Sequence, residues 1–338
     1  MIRQLGLLAW LIPVLILSGC NRPAGDPGNP NASGDAPAKL RIAVVPKGTS
    51  HAFWKSIHAG ACKAEQEFPD VQIIWKGPAQ EDDRTEQINI IDNFITTRVD
   101  GIVLAPLDRT ALVKPVDNAM ARKIPVAIID SGIDSTNITS YISTDNYNGG
   151  RLGARHLAKL LGGKGNVILL RYQIGSESTE QREKGFMETL ASEFPEMKVI
   201  SDNQYAGATQ PSALAKAENL ITRFKDEVQG WFCPCEPVTA GTAQAVKNAG
   251  LAGKIKIVGF DSGPDVMTAM REGLVHGLVV QDPINMGYLG VKTVRSVLRG
   301  EKAEARVPTG EYLVTPDNID EPRSKELHSP DLAKWLKE

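Results

Sequence analysis

Short apolar runs alternate with longer amphipathic stretches from residue 39 onward. The apolar runs are continuous in valine, isoleucine and leucine, which is typical of strands covered by helices on both faces. In the first half of the chain they predict strands over 40–45, 71–75, 101–105 and 126–130, separated by helices over 53–68, 82–97 and 111–122. Connections of this kind are right-handed and join parallel strands, so this block predicts one doubly wound α/β lobe.

The same alternation restarts after residue 143. It predicts strands over 166–170, 198–201, 230–233 and 256–260, with helices over 147–161, 180–193, 211–224, 238–249 and 264–272. The predicted fold class is therefore α/β, with two doubly wound parallel-sheet lobes in one chain. Two such lobes place a cleft between the carboxyl ends of their strands, which is where open α/β sheets bind ligands.

The two predicted lobes are joined by a three-crossing hinge. We place the crossings at 143–145, 281–282 and 312–314. The first lobe then contains residues 39–143 with 283–311, including a helix over 283–298, and the second contains 144–282 with 312–338. The segment after residue 314 has little periodicity, and we expect it to pack on the second lobe.

The first twenty residues have the features of a targeting segment. Arg3 supplies a positive end, an apolar stretch follows over 5–17, and the segment ends in Leu-Ser-Gly-Cys at 17–20. This ending resembles a bacterial lipobox, which implies a lipoprotein signal peptide over 1–20 and lipidation of Cys20. The alternative is a plain signal peptide whose cysteine is incidental.

Residues 21–38 are rich in proline, glycine, asparagine and alanine, a composition that predicts a flexible linker. We therefore expect the folded part to lie in the periplasm or at the cell surface, lipid-anchored to a membrane, with the inner and the outer membrane both open.

Composition and charge narrow the class of protein. The chain has 338 residues, of which 42% are hydrophobic and 23% charged, which is ordinary for about two globular domains. A formal net charge of −2 provides no basic field of the kind that nucleic-acid binders use, so we expect no nucleic-acid partner. The five histidines are scattered, and Cys233 and Cys235 stand too close in sequence for an unstrained disulfide, so we expect neither a metal nor a cofactor.

Aromatic and polar residues cluster where predicted strands end, which is where a doubly wound lobe carries its functional groups. The candidate ligand-binding residues are Lys47, His51, Phe53, Trp54, Asp130, Ser131, Arg182, Tyr205, Cys235, Glu236, Asp261 and Gln281. Aromatic rings stack on the apolar C–H face of a sugar, and planar polar side chains hydrogen-bond its hydroxyls. The set therefore predicts a site for a small sugar or polyol.

Most of the candidates also have a purely structural interpretation. Phe53 and Trp54 could belong to the hydrophobic core, and Tyr205 could pack under a loop. Asp130 could cap the turn after its strand, and Arg182 could form an ion pair on the surface of its helix. Lys47 and His51 could be solvated loop residues, and Gln281 could be an amide of the hinge.

An ordered series of motifs carries a family resemblance over about residues 39–315. The motifs are 41–45 followed by Phe53-Trp54, Asp130, Ser-Thr-Asp-Asn at 143–146 with Gly149-Gly150, Arg-Glu-Lys-Gly-Phe at 182–186, Val-Gly-Phe-Asp at 258–261, and Gln281. In this order the chain resembles the periplasmic sugar-binding proteins of ABC transporters, the ribose-binding type in particular. The resemblance implies the fold of type 1 periplasmic binding proteins.

The same resemblance implies roles for the candidate residues. Phe53 and Trp54 would sandwich the sugar ring, with Tyr205 as a second aromatic wall. The residues that would hold hydroxyls are Asp130, Arg182, Asp261 and Gln281.

The chain also departs from the ribose-binding pattern. Ser131 stands in place of an arginine, and His51 and Cys235 stand in place of asparagines, which argues against ribose itself. Residues 45–47 and 76–78 are similar to the binders of autoinducer-2 and rhamnose, in which the lysine that matches Lys47 touches the ligand. A pentose, a deoxyhexose and another small polyol all remain open.

We therefore expect a monomeric binding protein, not an enzyme, that closes on its ligand and delivers it to the membrane permease of an ABC transporter. The alternative is a sensor that presents the ligand to a membrane receptor or kinase. A transcription repressor of similar fold is disfavoured because the lipobox occupies the place of a DNA-binding helix-turn-helix. An enzyme that uses Cys235 as nucleophile is disfavoured because the sequence places no histidine base beside it.

Overall fold

The computed structural model describes residues 38–336. The predicted signal peptide, the lipidation site Cys20 and all but the last residue of the predicted linker lie outside the described residues. The described chain contains two six-stranded sheets, and each sheet forms the centre of one lobe.

The first lobe is built on a wholly parallel sheet with the strand order β11-β5-β4-β3-β1-β2. Its strands are β1 (Leu40–Val45), β2 (Val71–Trp75), β3 (Gly101–Leu104), β4 (Val126–Ile129), β5 (Ser140–Ser143) and β11 (Arg306–Pro308). Its helices are α1 (Ala52–Glu67), α2 (Arg84–Thr96), α3 (Val113–Ala121) and α9 (Pro283–Leu298).

The second lobe is built on a sheet with the order β12-β10-β9-β8-β6-β7, in which only β12 is antiparallel to its neighbour. Its strands are β6 (Gly165–Arg171), β7 (Met197–Tyr205), β8 (Gly230–Phe232), β9 (Lys256–Phe260), β10 (Gly277–Val280) and β12 (Tyr312–Val314). The helices that follow in this half of the chain are α4 (Asn146–Leu161), α5 (Glu177–Glu193), α6 (Gln210–Phe224), α7 (Glu236–Asn248), α8 (Pro264–Arg271) and α10 (Pro322–His328).

The central strands are apolar on both faces because each sheet is covered by helices on both sides. In β1, Ile42 and Val44 belong to the core cluster that includes residues of α1 and α9, whereas Ala43 and Val45 belong to the cluster that includes residues of α2 and α3. All four side chains are fully buried. This alternation explains why the sequence shows continuous apolar runs rather than a polar–apolar alternation.

The chain passes between the lobes three times, at 144–145, 281–282 and 309–311. The third crossing lies before β12 rather than at 312–314, because those residues form the last strand of the second sheet. The sequence did not predict β5, β10, β11 or β12. The strands β3, β4 and β8 are equally short, but these four also border a crossing between the lobes, and the pattern of apolar positions does not separate them from it.

The segment after β12 contacts both lobes. Ile319 and Leu327 are buried in the core of the second lobe, as expected. The end of the segment reaches the first lobe as well, where the Trp335 carbonyl accepts a hydrogen bond from Gln66 of α1 at 3.2 Å. The sequence did not predict this additional contact with the first lobe.

Candidate functional site

A pocket lies between the two lobes. The first lobe lines it with Lys47, His51, Phe53, Trp54, Glu81 and Asp130, and the second with Tyr172, Ser178, Thr179, Arg182, Cys235, Pro237, Asp261 and Gln281. Most of these residues follow the carboxyl end of a strand or begin the next helix. The cavity thus lies where two doubly wound lobes place a ligand cleft.

Two aspartates occupy strained backbone positions at the cavity. Asp130 directly follows β4 with φ of 62°, and Asp261 directly follows β9 with φ of 66°. A positive φ is uncommon for residues other than glycine, although aspartate tolerates it better than most, and such strain is often retained at functional sites. Both carboxylates are almost fully buried.

Lys47 is a buried cation that contacts both lobes, not a solvated loop lysine. Its Nζ lies 3.0 Å from Oδ2 of Asp130 in the first lobe. The same nitrogen donates to the hydroxyls of Ser176 and Ser178 in the second lobe, at 3.4 and 3.3 Å. A buried charge is tolerated only when it is paired and hydrogen-bonded, and these three partners meet that condition.

Arg182 is also buried and does not form a surface ion pair. Its Nε donates to Oδ1 of Asn146 at 2.8 Å, and its Nη1 donates to the Pro234 carbonyl at 3.0 Å. The guanidinium lies 3.8 Å from the ring centre of Phe260, and Nη1 is 3.6 Å from Oδ2 of Asp261. Its remaining nitrogen, Nη2, has no hydrogen-bond partner among residues 38–336.

Gln281 lies at the second crossing between the lobes and forms a hydrogen bond with the carboxylate of Asp261. Its Nε2 donates to Oδ1 of Asp261 at 2.5 Å. Its Oε1 is buried and, within the described part of the chain, accepts no hydrogen bond. Burial raises the pKa of Asp261, and the nearby Arg182 and Gln281 oppose that shift. Within residues 38–336, two fully buried side-chain atoms of the cavity residues thus have no partner: a donor, Nη2 of Arg182, and an acceptor, Oε1 of Gln281.

Aromatic rings enter the cavity from both lobes. Phe53 and Trp54 open α1 and pack edge to face, with ring centres 5.0 Å apart and an interplanar angle of 88°. The Trp54 Nε1 donates to Oε1 of Glu81 at 2.8 Å. The hydroxyl of Tyr172, which directly follows β6, donates to Oε2 of the same carboxylate at 2.9 Å.

His51 of the first lobe is hydrogen-bonded through Nε2 to Glu236 of the second lobe. Burial alone would lower the pKa of His51, but the bond to Glu236 and the nearby carboxylates of Glu81 and Asp261 outweigh it and raise this pKa to about 9. The imidazolium form is therefore favoured when the lobes are in contact.

No group of three or more histidine, cysteine or carboxylate side chains in residues 38–336 is placed to hold a metal ion. Cys235 lines the cavity, and the structure places His51 beside its neighbour Glu236, a proximity that the sequence did not indicate. Burial and the nearby Asp261 raise the pKa of the Cys235 thiol well above its usual range. A thiol that resists ionisation is a poor nucleophile, so this geometry does not support covalent catalysis.

Residues 42–302 match the periplasmic binding protein domain. The chain belongs to the periplasmic binding protein family. The chain is also similar in sequence to sugar-binding members of the family. The ribose import binding protein of Haemophilus influenzae is 31% identical over 277 residues, which cover 82% of this chain and 91% of that protein. Members of this family bind substrates for transporters and do not transform them.

Solved structures of this periplasmic binding protein family share the fold. A carbohydrate transporter solute-binding protein from Agrobacterium radiobacter, in complex with D-arabinose, is 36% identical with a TM-score of 0.83, covering 86% of this chain and 99% of the other. An ABC transporter solute-binding protein from Agrobacterium vitis, with bound D-fucose, is 31% identical with a TM-score of 0.82, covering 85% and 99%. The predicted fold class and the resemblance to sugar-binding proteins of ABC transporters are therefore confirmed.

Membership of the periplasmic binding protein family implies an extracytoplasmic location. No helix in the described part of the chain is long and apolar enough to cross a membrane.

The cavity of this periplasmic binding protein does not contain every residue that the sequence predicted. Tyr205 is 41% exposed and does not line it. The reason is that Tyr205 ends β7, the edge strand of the second sheet, on the side of β6 away from the other strands. Tyr172, at the end of β6, supplies the aromatic wall of the second lobe instead.

Two further predicted residues lie beside the cavity rather than in its wall. Ser131 is fully buried, and its hydroxyl accepts from the Ser178 backbone N–H at 3.0 Å across the lobe boundary. Glu236 binds His51 and borders an outer part of the cleft.

Sequence reasoning missed five cavity residues: Glu81, Tyr172, Ser178, Thr179 and Pro237. Tyr172 lies two residues after the predicted strand 166–170 and directly after the observed β6, so the rule that located Asp130 could also have located it. Glu81 lies in the irregular segment between β2 and α2, where no periodic pattern indicates which side chain faces the cleft.

Proposed function

We propose that this periplasmic binding protein captures one small neutral sugar or polyol in the cavity between its lobes and delivers it to the membrane permease of an ABC transporter. The proposal rests on two buried atoms of cavity residues, Nη2 of Arg182 and Oε1 of Gln281, which have no hydrogen-bond partner in the described part of the chain. A hydroxyl both donates and accepts, so the hydroxyls of a sugar satisfy both atoms. Buried polar groups without partners are costly, which makes their satisfaction a source of affinity.

The aromatic walls support a ligand with an apolar face. Phe53 and Trp54 approach from the first lobe and Tyr172 from the second, and all three are at least 90% buried. The C–H face of a sugar ring stacks on such surfaces.

The charges of the cavity favour a neutral ligand. Lys47 is paired with Asp130, and Arg182 lies close to Asp261. Since each cation already faces a carboxylate, a sugar acid or a sugar phosphate would bring a charge without a free counter-charge. The structures bound to D-arabinose and D-fucose support a pentose or a deoxyhexose among neutral sugars.

Contacts between the lobes support capture by hinge closure. Lys47 bonds Ser178, His51 bonds Glu236, and the Arg109 backbone N–H donates to the Gly175 carbonyl at 2.9 Å. These bonds join residues of different lobes, so they form only in the closed state and favour closure together with the ligand. The closed protein would then dock on the permease.

The proposal includes a lipid anchor, which the sequence predicts at Cys20. Lipidation of Cys20 would hold the protein at a membrane through the segment 21–38, as a monomer within reach of its permease. Such tethering raises the effective concentration of the binding protein at the transporter.

A thermal-shift screen of the purified protein tests the proposal. The panel contains D-arabinose, D-fucose, D-ribose, D-allose and xylitol, with D-galacturonate and D-ribose 5-phosphate as charged controls. At least one neutral member should raise the melting temperature by about 5 °C or more at saturation, because ligands that bind only the native state stabilise it. The neutral ligand with the largest shift is called the probe sugar below. No shift with any neutral member, or shifts with the charged controls only, would contradict the proposal.

A further inference from the structure

Glu81 is the one cavity residue described here whose carboxylate joins aromatic rings from both lobes. It lies between β2 and α2 in the first lobe. Its Oε1 accepts from Nε1 of Trp54 at 2.8 Å, and its Oε2 accepts from the hydroxyl of Tyr172 at 2.9 Å. Its backbone carbonyl accepts from Nε2 of Gln173, also in the second lobe, at 3.0 Å.

The hydrogen bonds of Trp54 and Tyr172 to Glu81 depend differently on lobe closure. Trp54 and Glu81 both belong to the first lobe, so their hydrogen bond is independent of the hinge. Tyr172 and Gln173 follow β6 of the second lobe, so their bonds to Glu81 form only when the lobes come together. One carboxylate therefore holds the first ring in advance and receives the second on closure.

The hydrogen bonds to Glu81 fix the orientations of the Trp54 and Tyr172 rings. An indole N–H and a phenol O–H are the single polar groups of otherwise apolar rings, and a partner for each fixes the rotation of its ring. Trp54 is 3% and Tyr172 2% exposed, so an unpaired N–H or O–H there would be buried without solvent. Hydrogen bonds to a carboxylate are also stronger than those between neutral groups.

Tyr172 remains a donor across the ordinary range of pH. Burial raises the pKa of its hydroxyl well above the usual range, and the carboxylate of Glu81 raises it further. The phenol is therefore neutral, and its proton points to Glu81 rather than being lost.

We propose that Glu81 is a positioning residue that couples lobe closure to aromatic stacking on the ligand. It orients Trp54 in the open state and draws Tyr172 to the opposite side of the cavity on closure, so that the stacked ligand and the closed hinge stabilise each other. The inference rests on the proposed function. It differs from the bridges at Lys47 and His51, because neither of those hydrogen bonds involves Trp54 or Tyr172.

The test compares three variants of the full-length protein. E81L removes both acceptors, and E81Q keeps one acceptor for Trp54 and supplies a donor to the Tyr172 oxygen. Y172F removes only the hydroxyl of the second ring. D82L is the matched control, because Asp82 lies next to Glu81 in the same loop with an exposed side chain.

Calorimetric titration with the probe sugar gives the dissociation constants. E81L should raise the dissociation constant about tenfold or more, since it deletes two hydrogen bonds to a charged group. Y172F should raise it about threefold to tenfold, and E81Q and D82L less than about threefold. The double variant E81L/Y172F should bind as E81L does, because both substitutions delete the same interaction.

A spectroscopic measurement separates positioning from general stability. In the ligand-free protein, the indole N–H resonance of Trp54 should shift most in E81L, less in E81Q, which keeps a neutral acceptor, and least in Y172F. A purely structural role for Glu81 would move the melting temperature without this pattern.

The outcomes separate this inference from the proposed function. If no panel sugar binds the wild-type protein, the proposed function fails and this inference fails with it. If the wild type binds the probe sugar and E81L binds it equally well, only the inference is overturned. If E81Q is as damaging as E81L, charge rather than ring positioning is the cause. If E81L does not fold, Y172F decides, and an unchanged dissociation constant for Y172F overturns the inference.

Discussion

Asp130 and Asp261 occupy equivalent positions in the two lobes. Each follows a strand in a left-handed conformation, and each backbone N–H donates to a carbonyl of the next strand in the sheet, Ile142 at 3.1 Å and Val279 at 2.8 Å. The two lobes therefore present one carboxylate each to the shared cavity from the same place in the fold. Asparagine also tolerates a positive φ, so substitution of such an aspartate by asparagine tests the charge of the carboxylate separately from the backbone conformation.

Asp261→Asn should weaken binding of the probe sugar without unfolding the protein. Asparagine also tolerates a positive φ, so the strand end is retained while the charged acceptor is lost. A hydrogen bond to a charged group predicts that the dissociation constant rises about tenfold to a hundredfold, measured by calorimetry. Asp82→Asn, on an exposed loop, is the control and should bind as the wild type does. Equal affinity of D261N and the control for the probe sugar would show that Asp261 does not contribute to binding.

Affinity for the probe sugar should fall as the pH rises. The pKa of His51 is about 9 in the closed state, where Glu236, Glu81 and Asp261 face it. In the open state Glu236 departs with the second lobe, and the pKa returns toward the ordinary value of about 6.5. Closure thus takes up a proton between these values, so its contribution is fully present below about pH 6.5 and is lost as the pH passes 9.

Calorimetry from pH 6 to 9.5 checks this expectation, with a loss of affinity of about tenfold or more across the range. His51→Asn is the matched variant, because His51 is the N-cap of α1 and asparagine is a good N-cap residue. Its pH profile should be nearly flat over the same range. A wild-type profile as flat as that of H51N would show that the His51–Glu236 bridge does not contribute to closure.

Gly150→Ala should reduce both stability and affinity. A Cβ atom at Gly150 of α4 would overlap the backbone carbonyl of Arg182 in α5, so the two helices must separate. Overpacking of this kind lowers the free energy of unfolding by about 1–3 kcal/mol. Because the displaced backbone carries Arg182, binding of the probe sugar should weaken as well.

Denaturant unfolding and calorimetry measure the two effects of G150A. Lys159→Ala, on an exposed part of the same helix, is the control and should change neither quantity by much. A destabilised G150A with unchanged affinity would mean that the position of Arg182 does not depend on the contact between α4 and α5.

Cys20→Ser tests the lipid anchor. The lipobox at 17–20 predicts that the wild type is found in the membrane fraction and is released only by detergent. The variant should lose this association, because serine offers no thiol for acylation. Cys62→Ser, within the folded part, is the control and should fractionate with the wild type. Release of wild type and C20S in the same fraction without detergent would contradict lipidation.

Much of the site could be predicted because its residues are marked by local signals. Asp130 and Asp261 end continuous apolar runs, and Arg182 and Trp54 lie near the starts of helices. These positions follow from the rule that functional groups gather at the carboxyl ends of parallel strands. The rule does not say which strand lies at the edge of its sheet, and for that reason the sequence predicted Tyr205 and did not point to Tyr172.

Pairing across the lobes could not be predicted from the sequence. The partners of Lys47 in the second lobe are more than 125 residues away in sequence, and those of Glu81 and His51 are 91 and 185 residues away. Such contacts depend on the closed arrangement of the lobes rather than on a local pattern. The same holds for β11 and β12. Each has only three residues, and each is a strand because it pairs with a neighbouring strand of its sheet.

Small-angle X-ray scattering with and without the probe sugar tests the central claim most directly, because capture by hinge closure must change the shape of the molecule. The account predicts that the radius of gyration falls on addition of the probe sugar, and that D261N requires a higher sugar concentration for the same change. A radius of gyration that stays constant at saturating concentrations of every neutral member of the panel would contradict it.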